Sequence, residues 1–487
     1  FGAHYRLSSE FQVRLGYQKD FWTSGFSISL PLFDIDYGLK TPLKDGGSSE
    51  FLFGIRLGGG PVKEQRLRRY ALFKDKAYAR FFLGRNLVSG KSEASLRGGF
   101  RIGSNELLLL LKESRKDETC EGYIIRIGSL DSHLGTIAMV QELRKELALA
   151  KKAGKRIVIY LEHWATLPEY YLASIADEII MPELGTISQL GIRLEMVKTK
   201  EFLNNFGFEK ELIVTGKHKS ALQSSGGSLT ESQRFLLETL VYDMYNQVLK
   251  EIKEDRDIDW KQHSEIFDGR LISAFEAKKI GLIDTLGFWE YSRKIEVVKK
   301  DKVRLKPVAH LMNFVKDSEP FSIFSSFDRI AVVEIEGPIM TGANKVDVMY
   351  GQHWTGSDHI DEMMREIEKD FTIKGIVLRL NSPGGSLLAS DQIYQAVKRF
   401  KEKTGKPVFA SMGNIATSGA YYISLAADKV YANKSSITGS IGVISVHENR
   451  EVFNRTVGVS VDRINTGKYM DLFSQHKGLS KEEKKML

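Results

Sequence analysis

Hydrophobic and polar positions alternate with a period of two along the first stretch of the chain. Phe11, Val13, Leu15 and Tyr17 interleave with Gln12, Arg14 and Gly16. Phe26, Ile28, Leu30 and Leu32 interleave with Ser27, Ser29 and Pro31, and Phe51, Phe53, Ile55 and Leu57 with Leu52, Gly54 and Arg56. This alternation predicts antiparallel strands with two unlike faces, parted by turn residues such as those from Lys44 to Ser48. Residues 1–75 are therefore read as a β-rich segment. Two readings of it compete: a soluble meander, or the end of an outer-membrane-type barrel. Three strands cannot close a barrel, and an open edge is not tolerated in lipid, so the barrel reading needs further strands before Phe1.

From about residue 76 the pattern changes. Short apolar runs at Ile124–Ile127, Ile157–Leu161, Ile376–Leu380 and Val408–Ser411 predict buried strands. Met139–Lys152 and Ser390–Lys403 carry helical spacing and end in basic residues followed by Gly. Alternating strands and helices of this kind predict an α/β fold with parallel sheets. Thr230–Lys253 reads as a long amphipathic helix, and Phe267–Asp284 as a small turn-helix-turn unit. Residues 301–328 read as a linker.

The α/β part repeats. Gly103-Ser-Asn-Glu matches Gly356-Ser-Asp-His, and Gly122-Tyr-Ile-Ile-Arg126 matches Gly375-Ile-Val-Leu-Arg379, both at an offset of 253. Gly154-Lys155 matches Gly405-Lys406, Ala165-Thr166 matches Ala416-Thr417, and Gly216-Lys217 matches Gly467-Lys468, all at 251. An offset sustained over so long a stretch marks two copies of one domain, here 76–300 and 329–487. Copy two stops at Leu487, the counterpart of Leu236, whereas copy one runs on to about Gly287. With Phe1 at the start, this leads us to expect that both ends are cut.

Composition narrows the function. The 487 residues are 42% hydrophobic and 27% charged, which describes an ordinary folded protein of more than one domain. The net charge of +8 is spread over 70 basic and 62 acidic residues with no arginine cluster, which argues against nucleic-acid binding. A single cysteine, Cys120, excludes an intrachain disulfide, and it is expected in a turn. The ten histidines show no metal-ligand spacing, so neither metal nor cofactor is expected. No run of 18 apolar residues exists; Leu107–Leu111 is read as one helix within a core.

Candidate chemistry gathers at Asn414–Ser424. Ser418 stands between an apolar strand and a helix, where its hydroxyl is accessible beside helix N-terminal N–H groups. A lone serine there is more often a helix cap. Comparison of the copies changes the weighing. Ser418 aligns with Leu167, and Lys219 aligns with Met470, so one copy holds a serine without the lysine and the other a lysine without the serine. A serine hydroxyl needs a base, and a lysine whose pKa burial has lowered can be that base. The bland alternative makes Lys219 a surface lysine in a decayed copy. Gly384 and Gly385 of Asn381-Ser-Pro-Gly-Gly-Ser386 follow a strand end, where backbone N–H groups can face a developing oxyanion.

Asn381-Ser-Pro-Gly-Gly-Ser386, Ala416-Thr-Ser-Gly-Ala-Tyr-Tyr422, Thr438-Gly-Ser-Ile-Gly-Val443 and Gly216-Lys-His-Lys219 resemble the signal peptide peptidase SppA family in its long, duplicated form. The resemblance covers residues 76–487. It implies two tandem Clp/crotonase-like domains and a Ser/Lys dyad of Ser418 and Lys219. It implies an oxyanion contribution from Gly385, with Gly419 alongside, and a hydrogen bond from Ser440 to the lysine. It also implies peptide substrates such as signal-peptide remnants, a homo-oligomeric ring with a tetramer expected, and membrane association in a bacterial envelope with the peptidase domains outside the cytoplasm. The β-rich segment replaces the family's membrane helix, and Gln223–Gly227 departs from its usual acidic-aromatic run. Crotonase-type acyl-CoA chemistry and a non-catalytic assembly role remain as rivals.

Overall fold

In the computed structural model the described residues are 2–6, 11–18, 21–29, 33–42, 50–57, 77–84, 87–90, 92–95, 99–130, 136–258, 260–261, 263–289, 304–307, 328–347 and 351–487. The N-terminal segment forms a five-stranded antiparallel meander, Gly2–Arg6, Phe11–Gln18, Phe21–Ser29, Phe33–Pro42 and Glu50–Leu57, each strand paired with the next. Two strands exceed the sequence expectation. The fourth was legible, since Phe33, Ile35, Tyr37 and Leu39 alternate with Asp34, Asp36, Gly38 and Lys40. Tyr17 stacks edge-on to Trp22, and Phe26 lies face to face with Tyr37 across neighbouring strands.

Copy one is built on a six-stranded parallel sheet in the order Thr285–Leu286, Glu178–Met181, Arg156–Leu161, Cys120–Ile127, Ala77–Leu83, Arg304–Pro307. The central strands are apolar because helices cover both faces; Tyr123, Ile124, Ile125 and Ile127 are buried. Cys120 opens a strand in register with Ala77, while its amide still donates to the Asp117 carbonyl of the preceding turn, and its buried thiol is pushed up to about 11 by desolvation. Arg304–Pro307 falls in the stretch read as a linker, yet it adds an edge strand to this sheet. The other residues of 301–327 lie outside those described.

Copy two repeats the plan with Arg329–Glu336, Ile373–Ser382, Val408–Thr417 and Lys429–Ala432 in parallel. The repeat is visible element by element: helix Ser104–Lys116 has its counterpart in Ser357–Lys369, and Lys200–Asn205 in Glu451–Thr456. The copies pack through an ion pair. Arg379 donates two hydrogen bonds to the Glu142 carboxylate at 2.8 and 2.7 Å, and Asn433 donates a third at 2.9 Å. Among the described residues no helix is long and apolar enough to cross a membrane.

Candidate active site

Strand Val408–Thr417 runs six residues past its expected end before the chain turns. The extension is held by Ile437–Gly439, which pairs with Ile415–Thr417, and by the Asn381 side-chain oxygen, which accepts from the Asn414 amide at 3.1 Å. Ser418 then takes φ 54° and ψ −116°, and helix Gly419–Ser424 begins at the next residue. A side chain is disfavoured in that backbone conformation by about 1–3 kcal/mol. The turn is locked by the Ser418 amide donating to the Gly439 carbonyl and the Tyr422 amide donating to the Ser418 carbonyl, both at 2.9 Å. The serine is thus thrust out of the fold instead of capping the helix, and no side-chain cap bond forms.

Lys219 arrives from the other copy. Strand Glu209–Val214 leaves its own domain and pairs antiparallel with Ile444–Asn449 of copy two. Neither strand stood out in the sequence, although Leu212-Ile-Val-Thr-Gly216 is an apolar, β-branched run ended by glycine. Beyond it the Thr215 amide donates to the Val443 carbonyl at 2.9 Å. A Cβ on Gly442 would stand 2.0 Å from the Thr215 carbonyl oxygen, so only glycine admits this crossing. The turn that follows places Lys219 Nζ 2.8 Å from Ser418 Oγ, 3.1 Å from Ser440 Oγ and 2.5 Å from the Ser440 carbonyl oxygen.

Lys219 Nζ donates to three oxygens, Ser418 Oγ and the hydroxyl and carbonyl oxygens of Ser440. In its neutral form the amine keeps two N–H groups for Ser440 and has a lone pair for the hydroxyl proton of Ser418. Among the described residues no carboxylate pairs with Lys219. Burial alone pushes its pKa down from the ordinary lysine value. Ser440 itself sits at φ 52°, and its counterpart in copy one, Gln189, keeps φ 51° although it has lost the hydroxyl.

Gly384 and Gly385 approach from the adjacent strand end. Ile339 brackets Gly385: the Ile339 amide donates to the Gly384 carbonyl and the Ser386 amide donates to the Ile339 carbonyl. This turns the Gly385 N–H to the opposite side, toward Gly419. A Cβ on Gly384 would lie 2.7 Å from both the Gly419 nitrogen and the Ser418 Cβ. Neither the Gly385 nor the Gly419 N–H meets an acceptor among the described residues. The site therefore brings together Ser418, Lys219, Ser440, Gly384, Gly385 and Gly419. Leu387 and Leu388, just after the Gly384–Gly385 turn, and Ile441 and Val443, just after Ser440, are exposed. A cavity of about 790 Å³ lies elsewhere, at the copy-one counterparts Leu167 and Gln189.

The description "Peptidase family S49" matches residues 149–331 and 400–487, together more than half of the chain, and "Clp protease" matches 340–438. Protease 4 of Haemophilus influenzae is 27% identical over 75% of this chain and 60% of its own length. The chloroplastic serine protease SPPA of Arabidopsis thaliana is 25% identical over 81% of this chain and 58% of its own. The chain thus spans about three fifths of these curated relatives. Among solved structures, an enoyl-CoA isomerase from M. smegmatis is 14% identical over 44% of this chain and 77% of its own, with a TM-score of 0.23. At that score the likeness carries no argument. With its parallel α/β sheets and the match over both copies, this chain belongs to peptidase family S49.

Proposed function

We propose that the chain is a serine endopeptidase that cleaves extended, apolar, signal-peptide-like segments with a Ser418/Lys219 dyad assembled between its two copies. The observation that carries this reading is the 2.8 Å approach of Lys219 Nζ to Ser418 Oγ across 199 residues of sequence. Neutral Lys219 accepts the Ser418 proton as Oγ attacks the scissile carbonyl. The negative oxygen of the tetrahedral intermediate accepts hydrogen bonds from the Gly385 and Gly419 N–H groups. The Lys219 ammonium returns the proton to the departing amine, which leaves an ester on Ser418. Water, deprotonated by Lys219, then hydrolyses that ester. Exposed Leu387, Leu388, Ile441 and Val443, close in sequence to Gly385 and Ser440, suit apolar substrate side chains.

The family resemblance adds a homo-oligomer, a tetrameric ring, and a place at the membrane on the extracytoplasmic side of a bacterial envelope. A fluorophosphonate probe tests the chemistry, because it labels an activated serine. Labelling confined to Ser418, and lost in both Ser418→Ala and Lys219→Ala, is the expected result. Acyl-CoA chemistry predicts turnover without labelling, and a purely assembling role predicts neither; either result overturns the proposal.

A further inference from the structure

The N-terminal meander sorts its residues by face. Antiparallel partners share a face, and successive residues alternate between faces. The register places Tyr5, Val13, Phe26, Tyr37 and Phe53 in one row across all five strands, and Ala3, Leu15, Ser24, Leu39 and Phe51 in the next row on the same face. The only residues on that face that are neither apolar nor aromatic are Ser24 and Thr41. The charged residues of the five strands, Arg6, Arg14, Asp34, Asp36, Lys40, Glu50 and Arg56, all fall on the other face. There unlike charges sit opposite each other, Asp34 with Arg56 and Lys40 with Glu50.

A sheet in water hides its apolar face and shows its polar one. Here the burial runs the other way. On the apolar face Leu15 and Trp22 are each 54% exposed, and Tyr17 is 43% exposed. On the polar face Ser27 is only 7% exposed, and Thr23, Gly25, Gly38 and Lys40 are half-buried. No described element outside the sheet packs extensively on its apolar face.

We propose that the apolar face of this meander contacts the acyl chains of a lipid bilayer, as one sector of a closed, outer-membrane-type β-barrel whose polar side faces inward. The proposal concerns how the chain is held at a membrane and does not rest on the peptidase chemistry. The second to fifth strands hold 8, 9, 10 and 8 residues, close to the roughly 9–11 that a tilted spanning strand needs. Tyr17 and Trp22 meet edge-on at the hairpin end of the apolar face. Rings with one polar atom suit that place, at the level of the lipid headgroups. The strand glycines Gly16, Gly25, Gly38 and Gly54 all lie on the polar face. A Cβ on Gly25 would stand 2.6 Å from the Tyr37 carbonyl oxygen. Small residues on one face let a sheet curl toward it, and this sheet can therefore curl with its charges inside. A soluble meander laid on a protein core would need the opposite curl. An open edge is not tolerated in lipid, so strands beyond these five complete the ring next to Gly2–Arg6 and Glu50–Leu57.

The full-length protein, purified in dodecyl maltoside and reconstituted into dioleoylphosphatidylcholine vesicles, tests this. Single cysteines at Gln12, Val13, Arg14 and Leu15 are labelled in turn with an environment-sensitive fluorophore. Cys120 is buried, and the unsubstituted protein gives its background. Lipids spin-labelled on the acyl chain should quench the probe at Val13→Cys and Leu15→Cys but not at Gln12→Cys or Arg14→Cys. Phe26→Arg, on the apolar face, should lower the fraction that floats with vesicles by about tenfold or more, whereas Thr23→Arg, on the polar face, should leave it within about twofold. Equal quenching at all four positions, quenching at the polar positions alone, or equal loss in both arginine variants overturns the proposal. So does a chain that never floats with vesicles, or whose apolar face is shielded only as protein concentration rises, which would name a protein as its partner. Labelling of Ser418 in detergent reads the peptidase proposal separately, so failure of one is told apart from failure of the other.

Discussion

Lys219→Met is the sharpest perturbation of the proposed dyad, because it installs the residue that copy two already has at the equivalent position. The unbranched side chain ends one atom earlier, at Cε, with a thioether sulfur in place of Cδ and no nitrogen. Three contacts disappear: 2.8 Å to Ser418 Oγ, 3.1 Å to Ser440 Oγ and 2.5 Å to the Ser440 carbonyl oxygen. A positioned general base contributes roughly 10²- to 10⁴-fold, or about 2.7–5.4 kcal/mol of barrier. Peptide hydrolysis and fluorophosphonate labelling should both fall by at least 10²-fold. The pH dependence gives a second readout. The parent rate should rise with pH as Lys219 loses its proton, with a midpoint below the ordinary lysine value because burial lowers the pKa. That limb should vanish in Lys219→Met. The parent's stability should rise with pH as its rate does. With a folded pKa below the unfolded one, the unfolded chain binds more protons between the two values, so the parent gains stability as pH rises through that window and loses it as pH falls. Lys219→Met should lack that gain, so the melting temperature of the parent relative to the variant should rise from neutral to alkaline pH. Cleavage within tenfold of the parent, or an unchanged alkaline limb, would refute the assignment.

Gly385→Ala places a Cβ 2.1 Å from the Ile339 carbonyl oxygen and should swing the N–H from the site; turnover should fall about 10²- to 10³-fold in a steady-state peptide assay. Ser418→Gly should abolish cleavage yet raise stability by about 1 kcal/mol in urea titration, because glycine relieves φ 54° and ψ −116°. Glu142→Ala strands Arg379 between the copies, and chemical denaturation should show a loss of about 3–5 kcal/mol.

The legible part of this protein lay in periodicity and in the repeat. Apolar strands, amphipathic helices and the exchange of Ser418/Leu167 for Met470/Lys219 are properties of the chain read along itself. Copy comparison paired a serine with a lysine without any knowledge of distance. Three things were not legible for one physical reason: they depend on backbone hydrogen bonds between distant segments. The crossing of Glu209–Val214 onto Ile444–Asn449 joins residues more than 200 apart, and local hydropathy carries no record of a partner. The positive φ of Ser418 follows from the Gly439 carbonyl and the extended strand before it, not from serine's own preference. The direction of the Gly385 N–H follows from Ile339. The sequence thus named the two candidate groups by what each copy kept. Only the tertiary structure decided that they meet, because backbone pairing between domains sets the 2.8 Å between them.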